Sequence, residues 1–120
     1  MEPEKSYEWY KVAGSLEEIN FADNGMLELT VNNKEVCLIK TNNSLAACAQ
    51  KCPHAGGLLS KGYLDALGNI VCPLHRYKFS ITNGRNISGE GYYLKTYPVE
   101  LRENGVFIGF TKNIFLNWLK

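Results

Sequence analysis

The 120-residue sequence has almost no excess charge, no long apolar run and only two histidines, and each shortage narrows what the chain can be. Its 13 basic and 12 acidic side chains are spread along the chain, so no polybasic stretch points to nucleic acid or to an anionic membrane surface. No segment approaches the roughly 18 consecutive apolar residues that mark a membrane-crossing helix. The first residues, Met1-Glu2-Pro3-Glu4-Lys5, lack the apolar centre of a secretory signal, which makes the cytoplasm the expected compartment. Internal repeats and low-complexity segments are missing too. With 45% hydrophobic residues, the chain is expected to form a single domain, residues 1–120, around a modest core.

The two histidines are not scattered. His54 lies in Cys52-Pro53-His54-Ala55-Gly56-Gly57 and His75 in Cys72-Pro73-Leu74-His75, giving the pattern C-x-H-x17-C-x2-H. Thiolate and imidazole are ligands for zinc and for iron–sulfur centres. A Cys and a His separated by one residue are too close to share a helix face, so both pairs are expected on loops. Pro53 and Pro73 fix their own φ and bias the preceding cysteine toward extended backbone. Gly56 and Gly57 let the chain turn closely around a bound group. Cys52, His54, Cys72 and His75 are therefore the candidate metal ligands.

Cys37 and Cys48 remain. Four cysteines allow three disulfide pairings on arithmetic alone. Without an export signal, however, thiols are expected to stay reduced. Both residues sit in apolar, strand-like surroundings, Val36-Cys37-Leu38-Ile39 and Leu45-Ala46-Ala47-Cys48-Ala49, and free cysteine is among the most buried residue types. They are expected to be inert core residues.

The rest of the chain reads as short strands between turns. Tyr7 to Ala13 is rich in aromatics and suits a first strand. Ser15-Leu16-Glu17-Glu18 suggests one helical turn with Ser15 as its cap. After the Asp23-Asn24-Gly25 turn, Leu27 to Val31 alternates apolar and polar side chains. Asn32-Asn33 turns into Glu35–Lys40, and Asn42-Asn43 turns into Leu45–Gln50, as successive β-hairpins. Ile70-Val71 delivers the second Cys/His pair and Lys78 to Ile81 leaves it. The two ligand loops are expected at the tips of neighbouring hairpins, in a subdomain of about residues 50–85 that relies on its metal as much as on packing. The predicted class is all-β, an antiparallel sandwich or small barrel. The apolar tail, residues 113–120, is expected to pack back on the sheet or into a dimer contact rather than to anchor a partner.

The two Cys/His motifs, CPHAGG and CPLH, resemble those of the Rieske family. The run from Lys78 to Arg85 is similar to that family's hairpin after the second ligand loop. Tyr97-Pro98-Val99-Glu100 with Asn104 to Ile108 is similar to its closing strand pair. The resemblance covers residues 7 to 110 and implies one [2Fe–2S] cluster, with Cys52 and Cys72 on one iron and His54 and His75 on the other. It further implies a monomeric ferredoxin that takes electrons from a reductase and passes them to a terminal oxygenase through its histidine edge.

Departures from the pattern refine the expectation. High-potential members carry a disulfide between their ligand loops, and Ser and Tyr hydroxyls that bond the cluster. The matching positions here are Gly57 and Leu74 for the disulfide, Tyr77 for the Ser and Phe79 for the Tyr. Fewer donors leave the reduced cluster less stabilised, so the potential is expected at the low end of the Rieske range, about −150 mV. Arg76 stands where glycine commonly follows the second ligating histidine. With Lys51, Lys61 and Lys78 it forms either a positive rim suited to an acidic partner or ordinary solvated charge. Tyr92 and Tyr93 replace a proline-rich loop, and either shield the cluster or pack on the base. Both histidines being assigned, a mononuclear oxygenase iron site is not expected, which makes the chain a carrier and not an enzyme. Two other readings stand beside it: a redox or regulatory small subunit similar to that of nitrite reductases, and a structural Cys2His2 zinc module.

Overall fold

The computed structural model describes residues 6–42, 44–53, 56–74, 76–87 and 93–111. The described residues form strands and two single 3-10 turns, with no α-helix, as the all-β reading expects. The strands are β1 (Tyr7–Ala13), β2 (Met26–Val31), β3 (Lys34–Lys40), β4 (Leu45–Ala49), β5 (Tyr63–Leu64), β6 (Asn69–Val71), β7 (Lys78–Ser80), β8 (Thr96–Tyr97), β9 (Val99–Arg102) and β10 (Gly105–Thr111). They pair antiparallel in three sheets, ordered β1-β10-β9, β2-β3-β4-β8 and β5-β6-β7.

The middle sheet is a wall shared by two cores, and β3 shows why. Its run Val36-Cys37-Leu38-Ile39 is fully buried on both faces, so it reads as continuous apolar sequence rather than alternation. Val36 and Leu38 pack with Val31, Ala47, Ile108 and Phe110, closing the first two sheets into a base. Cys37 and Ile39 belong to the other core, with Met26, Cys48, Leu59, Ile70, Phe79 and both Cys52 and Cys72. The third sheet and the two candidate cysteines thus share a core with the far face of the base.

Turns follow local chemistry. Asn32 and Asn33 both adopt left-handed backbone, φ 50° and 63°, which asparagine tolerates and a tight β2–β3 hairpin requires. The chain changes sheet at Pro98, between β8 on β4 and β9 on β10. Proline has no N–H to lose from a ladder there, and its carbonyl accepts from Gly109 N at 2.9 Å.

Two details differ from the sequence reading. Ser15 sits at the start of the 3-10 turn Leu16–Glu18 but makes no side-chain cap. The Glu18 N–H that it would have bonded already donates to Ser15's own carbonyl at 3.2 Å, while the Glu18 carboxylate accepts from Gly14 N at 2.7 Å. β7 ends at Ser80 rather than Ile81, because Ile81, Thr82 and Asn83 turn and Gly84 N closes onto Ser80 O at 2.8 Å. The apolar tail and Tyr92 lie outside the described residues.

Candidate metal centre

Each candidate cysteine opens a hairpin tip, and both tips are closed in the same way. The first loop is flanked by the antiparallel bridge Lys51–Leu58, the second by the β6–β7 pair Val71–Lys78. Inside these flanks Cys52 N donates to Gly57 O and Cys72 N donates to Tyr77 O, each at 2.8 Å. A cysteine whose amide reaches the carbonyl five residues on holds its loop as a short arch. The expected hairpin placement holds for both cysteines. His54 and His75 lie outside the described residues.

The two arches meet at buried sulfur. Cys52 and Cys72 are 2% and 0% exposed and face each other within one core. Burial pushes the Cys72 thiol up to about 11; the Leu74 backbone N–H on the sulfur opposes that shift and the neighbouring Cys52 thiol adds to it. Both glycines of the first arch have a distinct reason. Gly56 has φ +72° in open space, a turn requirement, and its N–H closes onto Cys52 O at 2.9 Å. At Gly57 a Cβ would lie 3.0 Å from Cys72 Sγ and 3.1 Å from Leu74 Cγ, so here the missing side chain makes room for the opposite arch. Leu74 fills the space over Gly57, at the positions where a bridging disulfide would have stood.

Polar contacts that the sequence reading missed position the first arch. Gln50, fully buried two residues before Cys52, donates from Nε2 to Ser60 Oγ at 2.6 Å and accepts from Ser60 N at 3.2 Å. Its backbone carbonyl accepts from Leu59 N at 2.8 Å. These bonds tie the strand before the arch to the unforeseen 3-10 turn Leu59–Lys61 behind it. Asn24 Nδ2 then bonds the carbonyls of Ser60 and Gly62 at 2.9 and 3.1 Å, fastening that turn to the base. A glutamine ending an apolar strand was the one available signal; Asn24 was legible only as part of a turn.

The second arch is supported by the β5–β6 turn. Asp65 accepts from Leu67 N and Asn69 N at 2.9 Å each and from Asn69 Nδ2 at 3.1 Å, and lies 3.5 Å from Lys78 Nζ. Lys78 is therefore paired with a carboxylate rather than simply one more charge of the rim. Arg76 occupies left-handed backbone, φ 55°, in which a side chain is penalised and glycine is not. Tyr93 is 68% exposed, so it packs little on the base.

Cys37 and Cys48 are buried and free of a disulfide, as expected. They also face each other as register partners across β3 and β4, which no sequence signal revealed. Their mutual hydrogen bond, with burial second, raises the Cys48 thiol pKa far above the usual range and keeps it neutral.

Two cysteine-headed arches meeting at buried thiols above a β-sandwich define a two-loop, paired-thiol site, with sulfur donors of the kind that iron–sulfur centres and zinc use. The chain belongs to the Rieske [2Fe-2S] domain family, which matches residues 8–98. It is 32% identical over 84 residues to the ferredoxin component of the naphthalene 1,2-dioxygenase system of Pseudomonas putida, covering 69% of this chain and 80% of that one. Among solved structures it resembles the ferredoxin of carbazole 1,9a-dioxygenase from Nocardioides aromaticivorans IC177, with TM-score 0.71, 20% identity, and coverage of 83% and 95%. It also resembles a putative NADH-dependent nitrite reductase small subunit from Mycobacterium tuberculosis, with TM-score 0.76, 15% identity, and coverage of 89% and 98%. At those identities the two structures speak for the fold. Among the described residues no helix is long and apolar enough to cross a membrane.

Proposed function

We propose that this chain is a cytoplasmic one-electron carrier, a ferredoxin that accepts electrons from a reductase and delivers them to a terminal oxygenase. Cys52 and Cys72 with His54 and His75 are the ligands of its [2Fe–2S] cluster, and about residues 50–85 are its cluster-binding subdomain. When bound, such a cluster supplies reversible one-electron transfer. The chain's own part is to present two thiols side by side, exclude water from them and hold the arches at a fixed separation.

The carrying observation is the meeting of Cys52 and Cys72, both buried, at the tips of two identically closed arches. The donor set suits the cluster: neighbouring thiols, a Leu74 N–H aimed at sulfur, and a glycine where a Cβ would crowd the opposite arch. The relative with substantial identity is named as an oxygenase-system ferredoxin, whereas the likeness to a nitrite reductase small subunit is one of fold. Phe79, buried without a hydroxyl, supports a potential near the low end of the family, about −150 mV.

The test is visible absorption and low-temperature EPR of the purified protein before and after dithionite. A red-brown protein whose reduced form gives a rhombic signal supports the reading. A colourless, EPR-silent protein carrying one zinc overturns it in favour of a structural module.

A further inference from the structure

The near-zero net charge conceals a division. Between residues 50 and 94 the chain has five basic side chains, Lys51, Lys61, Arg76, Lys78 and Arg85, against two carboxylates, Asp65 and Glu90. The remainder has eight basic side chains against ten acidic ones. The arch-bearing segment is thus net positive by three and the rest net negative by two. Asp65 is already engaged by Lys78. Lys51, Lys61, Arg76 and Arg85 are all exposed.

Their placement centres the charge on the arches. Lys51 immediately precedes the first arch, Arg76 lies within the second, and Arg85 follows β7, its carbonyl accepting from Ser80 N at 2.9 Å. Two acidic residues of the base neighbour this segment in the backbone: Asp23 precedes Asn24, which bonds the Ser60 and Gly62 carbonyls, and the Glu35 carbonyl accepts from Gln50 N at 3.2 Å. Neither belongs to the arches, and Arg76 makes no ion pair among the described residues. The same loops expose apolar surface, Leu58 at 37% beside the first arch and Leu74 at 46% within the second. Exposed apolar surface on loops that also carry charge of one sign is the anatomy of a transient protein interface that is steered electrostatically.

We propose that the arch face is a cationic docking surface, and that the redox partner it fits presents carboxylates around its own electron-transfer centre. This rests on the electron-carrier reading. The charge division steers the partner onto the end of the molecule where the electron leaves, with the acidic base turned away.

The test needs no partner. The reduced holoprotein is mixed by stopped flow with an anionic oxidant, ferricyanide, and a cationic one, tris(phenanthroline)cobalt(III), at rising ionic strength. The chain's formal charge of +1, less the one electron carried by the reduced cluster, leaves the whole molecule near neutral, so evenly mixed charge predicts flat salt dependence for both. The proposal predicts that raising salt from about 10 mM to 0.3 M slows ferricyanide on the order of tenfold and speeds the cobalt complex. The triple variant Lys51→Gln, Arg76→Gln, Arg85→Gln should lose most of both slopes at unchanged visible absorption. Flat or reversed slopes in the loaded wild-type protein overturn the docking proposal alone. A protein that takes up no cluster is seen as colourless before any kinetic trace and overturns the carrier reading beneath it.

Discussion

The two cores on either side of the middle sheet are built on different terms. The base is long ladder: β1, β3 and β10 run seven residues each and β2 six, around Val36, Leu38, Ile108 and Phe110. The arch layer has strands of two and three residues, with Gln50, Asn24 and Asp65 doing in hydrogen bonds what ladder length does in the base. Short strands give few backbone bonds and little area. Such a layer holds its shape through close backbone contacts, buried polar ties and, on the proposed reading, the cluster it would bind. The base is therefore expected to tolerate local loss better than the arch layer does.

The sharpest test of that contrast pairs one substitution in each region. At Gly62 a Cβ would lie 1.9 Å from the Val71 carbonyl oxygen, a backbone atom that cannot yield. Gly62→Ala should cost at least about 3 kcal/mol and abolish cluster absorption while far-UV circular dichroism still reports the base. Leu38→Ala should cost about 2–5 kcal/mol of global stability, yet the folded variant should keep its visible spectrum. If both variants lose colour together, the two regions are one cooperative unit and the comparison fails.

Gln50→Ala comes next. It leaves Ser60 N and Oγ without their buried partner and should cost about 1–3 kcal/mol, read as faster loss of colour in denaturant. Arg76→Gly acts in the opposite direction. Removing the left-handed penalty, less glycine's own entropy cost, should stabilise the second arch by about 0.5–1 kcal/mol in the same measurement.

The smallest effect is that of acid on Asp65. The Asn69 backbone N–H, foremost, and then Asn69's side chain, Leu67 N–H and Lys78 lower its pKa, against the opposing effect of burial. A depressed carboxylate stabilises the fold fully above its unfolded value, about 3.9, and the contribution is lost as pH falls through the lower folded value. Acid titration of cluster absorption should therefore show extra loss below about pH 4, and Asp65→Asn should flatten that limb.

How much of this was legible depended on whether the determinant was local. The hairpin-tip placement of Cys52 and Cys72, the Asn32-Asn33 turn and the alternation in β2 are written in consecutive residues, and each was read correctly. So was the burial of Cys37 and Cys48, from their apolar neighbours. Their mutual facing depends on β3–β4 register, and the Asn24 and Gln50 ties join residues 36 and 10 positions apart. Ser15 was misread because one 3-10 turn satisfies its own third amide, which leaves a cap nothing to bond. Lys78 was read only as rim or solvated charge because its pairing with Asp65 exists only once β6 and β7 are aligned.

The pairing of β4 with β8 has a topological consequence. Ala47 faces Tyr97, Cys48 faces Thr96, and Ala49 N bonds Lys95 O at 2.9 Å, so the chain leaves the base and rejoins it on adjacent strands. Residues 50–94 are thus an excursion whose two roots lie one strand spacing apart. Opening or lengthening that excursion adds only a slowly growing loop entropy, since the roots are pinned by the base itself. The arch layer is in this sense an insertion in a finished sandwich. It can change its arches, charge and partner while the scaffold beneath it keeps its register.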